Sequence, residues 1–228
     1  MKVKTVVLMT IAAITITALP SISIAAASGG LAAPLNDGQG LFGVSLGYVR
    51  RDVDGGSYDG EAASRRIYMK GAFGFGEGLD AYAFLGFADV DYDKTDFSGS
   101  LGEMVGGGIR YGGLLLGGGP ARVVLDLQLE YFLSDDGGDE AEITTKSISA
   151  YVVQEFGAAG RIGYFYPYAG VRLSDADYDN EGFVNFDSSD HLGFFGGADY
   201  FVNPNVFFSM ELHILDEESM TISAGYRF

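Results

Sequence analysis

The chain has 228 residues, with no Cys, no Trp, 35 Gly, 17 Phe and 14 Tyr, and 31 Asp and Glu against 14 Lys and Arg for a net charge of −17. The lack of Cys excludes disulfides, thiolate metal sites, cysteine nucleophiles and a lipid-anchored N-terminal Cys. Acidity of this degree argues against nucleic acid as a partner, because phosphate binding needs clustered Lys and Arg, while the apolar and aromatic content separates the chain from disordered acidic tails.

Lys2 and Lys4 open the chain, an apolar stretch runs from Thr5 to Leu19, and Pro20 interrupts it. Ala25-Ala26-Ala27 then supplies the small residues that a signal peptidase accepts at −3 and −1. Residues 1–27 therefore read as a secretory signal peptide cleaved after Ala27, residues 28–40 as a short N-terminal segment and residues 41–228 as one domain. Cleavage would leave 12 basic against 31 acidic residues, a net of −19. No later apolar run reaches the ~20 residues of a membrane-spanning helix.

From residue 41 the hydrophobic period is two, and ten strands are expected near 41–53, 64–75, 79–91, 103–116, 121–133, 143–156, 161–174, 190–202, 205–215 and 219–228. In the first, Phe42, Val44, Leu46 and Tyr48 oppose Gly43, Ser45, Gly47 and Arg51. In the second, Ile67, Met69 and Phe73 oppose Arg66, Tyr68, Lys70 and Ala72. The fifth sets Val123, Leu125, Leu127, Leu129 and Tyr131 against Arg122, Asp126, Gln128 and Glu130. The ninth sets Phe208, Met210, Leu212 and Ile214 against Ser209, Glu211 and His213. The last sets Met220, Ile222, Ala224, Tyr226 and Phe228 against Thr221, Ser223, Gly225 and Arg227. Strands 79–91, 143–156 and 190–202 carry two partly apolar faces, so their sides stay open. An apolar face opposite one of Gly, Ser and charges suits a soluble sandwich, and equally a membrane barrel whose apolar face meets lipid.

The connections separate the two. Short ones, Gly76-Glu77-Gly78, Gly117-Gly118-Gly119-Pro120, Gly157-Ala158-Ala159-Gly160 and Asn203-Pro204, alternate with longer acidic ones at 54–63, 92–102, 134–142 and 175–189 and a smaller one at 216–218. The long connections and the strand ends feeding them hold 22 of the 31 acids, and the short ones hold only Glu77. In an up-and-down barrel, alternate connections lie at opposite ends, which places the charge on one rim. A sandwich gives no reason for this alternation.

The terminal run Thr221-Ile222-Ser223-Ala224-Gly225-Tyr226-Arg227-Phe228 resembles the C-terminal assembly signal of small Gram-negative outer-membrane β-barrel proteins, in the porin-like or opacity-protein-like sense. Tyr166-Pro167-Tyr168-Ala169-Gly170-Val171 and Gly197-Ala198-Asp199-Tyr200-Phe201 are also similar to that class. The resemblance implies an all-β fold, a single antiparallel up-and-down transmembrane barrel of ten strands, or eight if two of the ambiguous segments are loops. It also implies an outer-membrane location after export to the periplasm, contact with lipid and lipopolysaccharide, delivery to the barrel-assembly machinery through Phe228, and a monomer without enzymatic activity, cofactor or resident metal.

Two readings of the lumen follow from the alternation. Lys70, Arg110, Arg122 and Arg172 would face inward beside Asp126, Glu130 and Glu211, with Asp199 as a further candidate. Either they pair and plug the barrel, since an unpaired buried charge is costly, or they line a narrow cation-preferring pore in the free volume left by Gly43, Gly47, Gly106 and Gly108. The phrases Asp89-Val90-Asp91-Tyr92-Asp93 and Asp175-Ala176-Asp177-Tyr178-Asp179 offer oxygen clusters to divalent cations, although neither has the Gly or the Glu of a calcium loop. Finally, Asp89-x-Asp91 and Glu211-x-His213 look superficially similar to the paired acids and Asp-x-His of omptin proteases, with Glu in place of Asp and a shorter chain. His191 reads as a loop residue.

Overall fold

The computed structural model describes residues 31–228 apart from Ser57, Gly118, 158–162 and 181–184. The expected signal peptide, residues 28–30, parts of four expected connections (Ser57, Gly118, 158–160 and 181–184) and the first two residues of the expected strand 161–174 lie outside the described residues. Ten long strands are present: β1 Gly40–Gly55, β2 Tyr58–Gly76, β3 Leu79–Ala88, β4 Ser100–Leu115, β5 Ala121–Asp136, β6 Asp139–Gln154, β7 Tyr164–Asn180, β8 Leu192–Phe201, β9 Val206–Ile214 and β10 Glu218–Arg227. Each pairs antiparallel with its sequence neighbour. The ring closes where β1 meets β10, in register from Leu41 opposite Arg227 to Arg50 opposite Glu218. Ten strands, not eight, form the wall. Closure leaves no sheet edge, which a barrel in lipid requires because hydrocarbon offers no partner to a free backbone N–H.

The C-terminal residue fastens the seam. Phe228 N donates to Gly40 O at 2.9 Å and Gly40 N donates to Phe228 O at 2.8 Å. A Cβ at residue 40 would meet the ring of Phe228, an exposed terminal side chain that would have to move aside. At the same end, Glu77 and Gly78 turn β2 into β3 with φ of 53° and 81°, the two positive values that a two-residue hairpin of matching twist needs.

At the opposite end the strands run further than the sequence pattern suggested. The expected loops 54–63 and 134–142 are hairpins, with β2 beginning at Tyr58 and β6 at Asp139. Gly137 and Gly138, with φ of 64° and 119°, form the second turn alone. The alternation continues through these extensions with its contents reversed. Val53, Ala62, Phe132, Ala141, Ile143 and Tyr178 face inward and are buried, while Asp52, Asp54, Asp59, Asp135, Asp139, Glu142 and Asp179 are exposed. Across the middle of the wall apolar residues face outward; beyond it acids do.

The shorter strands β8–β10 leave a gap at this acidic end. Phe186–Ser188 fills it, pairing with β1 on one side (Val53 opposite Ser188) and with β7 on the other (Phe186 opposite Tyr178). Asp91–Tyr92 pairs back on β2 in the same way.

Candidate functional site

The lumen is filled at three levels. At the acidic end, Tyr92, Phe97, Phe132, Ile143, Tyr178 and Phe186 pack into one apolar cluster. The Tyr92 ring meets Phe186 edge-on at 5.1 Å, and its hydroxyl donates to Asn180 Oδ1 at 2.9 Å.

The middle level is ionic. Arg172 donates through Nη2 to Glu217 Oε2 at 2.6 Å and through Nε to Asp216 Oδ2 at 3.0 Å. Arg51 also binds Glu217, Ser174 donates to Asp216 at 2.7 Å, and Ser219 donates to Glu217 at 3.1 Å. Asp216 and Glu217 were expected on the acidic rim. They turn inward instead because Leu215 takes a left-handed φ of 85°, which breaks the alternation and drops the connection into the mouth. Burial pushes the Glu217 carboxyl up, but Arg172 and then Arg51 outweigh it and hold the group well below the usual carboxylate range. On the neighbouring wall Arg66 binds Glu130 and lies over the Phe132 ring at 5.1 Å. Lys70 Nζ sits 3.7 Å from the Tyr82 ring centre, and the Tyr82 hydroxyl donates to Asp126 at 2.8 Å.

At the turn end the N-terminal segment enters the barrel. Leu31, Ala32 and Leu35 are 1% exposed and pack with Val124, Tyr151, Phe201 and Phe207. Side chains from four strands hold its backbone. Asp199 accepts from Ala32 N at 2.7 Å, Asp80 accepts from Leu35 N at 3.1 Å, Tyr151 donates to Ala32 O at 3.0 Å, and Arg110 donates to Leu31 O. Arg110 is itself paired with Asp80 at 2.8 Å.

Of the expected lumen residues, Lys70, Arg110, Arg172, Asp126, Glu130, Glu211 and Asp199 are all buried inside. Arg122 is exposed: it has the inward parity, but it is the second residue of β5, at the turn end where the wall stops. Of the four interior glycines expected to leave free volume, Gly106 and Gly108 have that space occupied by aromatic rings. A Cβ on Gly106 would lie 2.2 Å from Phe84 Cζ, and one on Gly108 would lie 2.5 Å from the Tyr82 hydroxyl. At Gly43 the nearest ring atom, Phe207 Cζ, is 3.5 Å from that position. The void bounded by Asp126, Gln128, Ser147, Ser149, Tyr151, Arg172, Phe195 and His213 is about 10 Å³, room for about one water.

The outer surface is the reverse of this interior. Leu46, Ile67, Leu85, Val105, Leu127, Leu129, Ile148, Leu173, Phe194 and Leu212 are exposed on successive strands. Tyr111, Tyr164, Tyr200 and Tyr226 form an aromatic band near the turn end, between 39% and 50% exposed. Charges inside, a continuous apolar belt outside and an amphipathic band at its margin suit a hydrocarbon surround and no aqueous one. The chain is a ten-stranded β-barrel of the outer-membrane type.

Neither a protein-family model nor a curated protein matches the sequence. Among solved structures the barrel is similar to the β domain of the Bordetella autotransporter BrkA, with a TM-score of 0.42 and 16% identity, covering 84% of this chain and 99% of that one. It is similar to Ail, the attachment invasion locus protein of Yersinia pestis (TM-score 0.36, 15% identity, 84% and 99%). An outer-membrane channel from Pseudomonas putida F1 gives a TM-score of 0.41 at 10% identity, over 89% of this barrel and 99% of the channel.

The acidic phrases are held by the protein's own groups. Asp89 binds Arg65 Nε at 2.8 Å, Asp91 binds Arg65 Nη2 at 3.2 Å, and Asp93 accepts from Glu61 N at 2.9 Å. Asp177 binds Lys146 at 2.8 Å, and Asp175 faces His191 at 3.6 Å. Among the described residues no group of three or more His, Asp or Glu converges as a metal site. His213 lies inside the wall, 3.2 Å from Glu211 and 3.7 Å from Glu217, with its ring stacked on Phe195 at 5.0 Å. At 2% exposure it has no open face for a substrate, and Asp89 and Asp91 have Arg65 as their partner.

Proposed function

We propose that the protein is a sealed barrel of the Gram-negative outer membrane, reached by export behind a cleaved signal peptide, which presents an acidic surface rather than a conduit or an active site. The observation that carries this reading is the triple filling of the lumen, by the aromatic cluster, the ion-pair network and the N-terminal segment; the void bounded by Asp126, Tyr151, Arg172 and His213 has room for about one water. Its role is then structural or adhesive: the carboxylates on the prolonged strands meet lipopolysaccharide and surface partners through divalent cations, which screen like charges on adjacent strands. Phe228, which closes the seam, is the residue the assembly machinery would engage. The cation-preferring pore loses its basis where rings occupy the space beside Gly106 and Gly108, and an omptin-like protease loses its basis in the burial of His213.

Because the native chain has no Cys, single cysteines report topology cleanly. Asp139→Cys at the acidic end should react with a membrane-impermeant maleimide on intact cells, and Glu77→Cys at the turn end should react only after lysis. The opposite pattern would overturn surface presentation of the acidic end.

A further inference from the structure

We propose that the turn end of the lumen is a peptide-binding site, occupied at rest by residues 31–35 as a resident ligand and open to exchange for another extended, uncharged peptide. The inference rests on the sealed barrel above and goes beyond it in making one of the three seals removable.

Residues 31–36 take no part in the sheet. Among the described residues, none of residues 31–35 makes a backbone–backbone hydrogen bond. The first such bonds to the wall come at Gly38 and Gln39, both with Gly74, at 3.0 and 2.9 Å. Phe186–Ser188, by contrast, fills the acidic end by pairing with β1 and β7. Residues 31–35 are instead held as a ligand is held, by side chains on main chain. Ala32 N donates to Asp199 at 2.7 Å and Leu35 N to Asp80 at 3.1 Å. Ala32 O accepts from Tyr151 at 3.0 Å, and Leu31 O accepts from Arg110. These four groups, from β8, β3, β6 and β4, read backbone rather than side chain, so they fix the guest's conformation more than its sequence.

The apolar contacts set which side chains fit. Leu31 and Leu35 are buried in one cluster with Val124, Phe201 and Phe207. A Cβ on Gly112 would run into the Pro34 ring, so that glycine leaves a notch for it. Residues 31–35 carry no charged side chain, and one buried here without a partner would be costly. The guest is therefore an extended apolar peptide with branched residues at its ends and small ones between. The tether favours exchange. Asn36, Asp37 and Gly38 are exposed at the turn end, and Gly38 takes a φ of 71° in open space. A segment on so short a tether competes at an effective concentration on the order of mM. It fills the site at rest and yields to a peptide that binds more tightly or reaches that level. The ionic middle and the aromatic cluster stay in place, so exchange opens a blind vestibule and not a pore.

The test uses protein extracted from membranes and carrying Leu35→Cys, the single thiol in a chain with no native Cys. A bulky maleimide should label this buried position slowly. A capped Leu-Ala-Ala-Pro-Leu peptide should raise the rate by about tenfold or more, levelling off at concentrations on the order of mM. The same peptide with Asp in place of both Leu should leave the rate unchanged. A rate that ignores the apolar peptide, or responds equally to the acidic one, overturns the proposal and leaves the sealed barrel standing. Stepwise conductance of the native barrel overturns both. If Leu35→Cys does not fold, hydrogen exchange on the native chain replaces it. The Ala32 and Leu35 amides should then lose protection when the apolar peptide is added, and unchanged protection overturns the proposal.

Discussion

Glu217→Gln tests the ionic middle of the barrel. Glu217 Oε2 receives Arg172 at 2.6 Å and Arg51 beside it, while Oε1 receives Ser219 at 3.1 Å. The two guanidinium side chains are 6% and 2% exposed. The amide keeps the shape but removes the countercharge, leaving Arg51 with Ser174 at 3.3 Å and Arg172 with Asp216 at 3.0 Å. Breaking a buried pair costs ~3–5 kcal/mol, and the retained Asp216 places this case near the lower figure. Urea unfolding in phospholipid vesicles near neutral pH should show a lower midpoint with an unchanged slope. The pH dependence has a definite sign. The folded-state carboxyl lies below its ordinary value of 4.5, so its contribution is complete above that value and is lost as pH falls through the depressed one. The gap between native protein and variant should therefore narrow on acidification below 4.5, by about 1.4 kcal/mol per pH unit. A variant within ~0.5 kcal/mol of the native protein at neutral pH, or a gap that widens in acid, would refute the reasoning.

Three further outcomes are expected. Gly106→Ala should destabilise by ~1–3 kcal/mol, and combined with Phe84→Ala it should cost less than the two changes summed, because the ring 2.2 Å from the new Cβ is gone; strict additivity in a double-mutant cycle would contradict the ring-into-glycine packing. Leu127→Arg on the apolar belt should cost ~2–4 kcal/mol in vesicles, whereas Asp54→Asn on a prolonged strand should stay within ~0.5 kcal/mol; equal effects would misplace the belt. The purified barrel should cleave no peptide substrate, and cleavage that disappears in His213→Ala would restore the protease reading.

Period-two patterning was enough to read the wall, because a side chain's face depends on parity alone: Leu125, Leu127 and Leu129 had to lie opposite Asp126, Gln128 and Glu130 wherever β5 was placed. The same rule was harder to use above the belt. In 54–63 and 134–142 the acids marked a loop by composition, but Val53, Ala62, Ala141 and Ile143 kept the alternation going with its polarity reversed. A reader counting inward apolar positions could have extended these strands. Other features had no local signal. Asp216 and Glu217 turn inward through one left-handed residue, Leu215, a side chain with no ordinary preference for that conformation. Residues 28–40 read only as a short N-terminal segment, because the groups that bury it are distant in sequence: Asp199 is 167 residues from Ala32 and Arg110 is 79 from Leu31. Gly106 and Gly108 looked like free space because the rings that fill it come from a neighbouring strand.

Planar-bilayer recording of the purified, refolded barrel tests the central claim most directly. With the lumen filled by the aromatic cluster, the Arg51–Arg172–Glu217 network and residues 31–35, no stepwise conductance should appear above the lipid baseline. Reproducible steps with cation preference would contradict the sealed barrel and make the acidic rim the mouth of a pore.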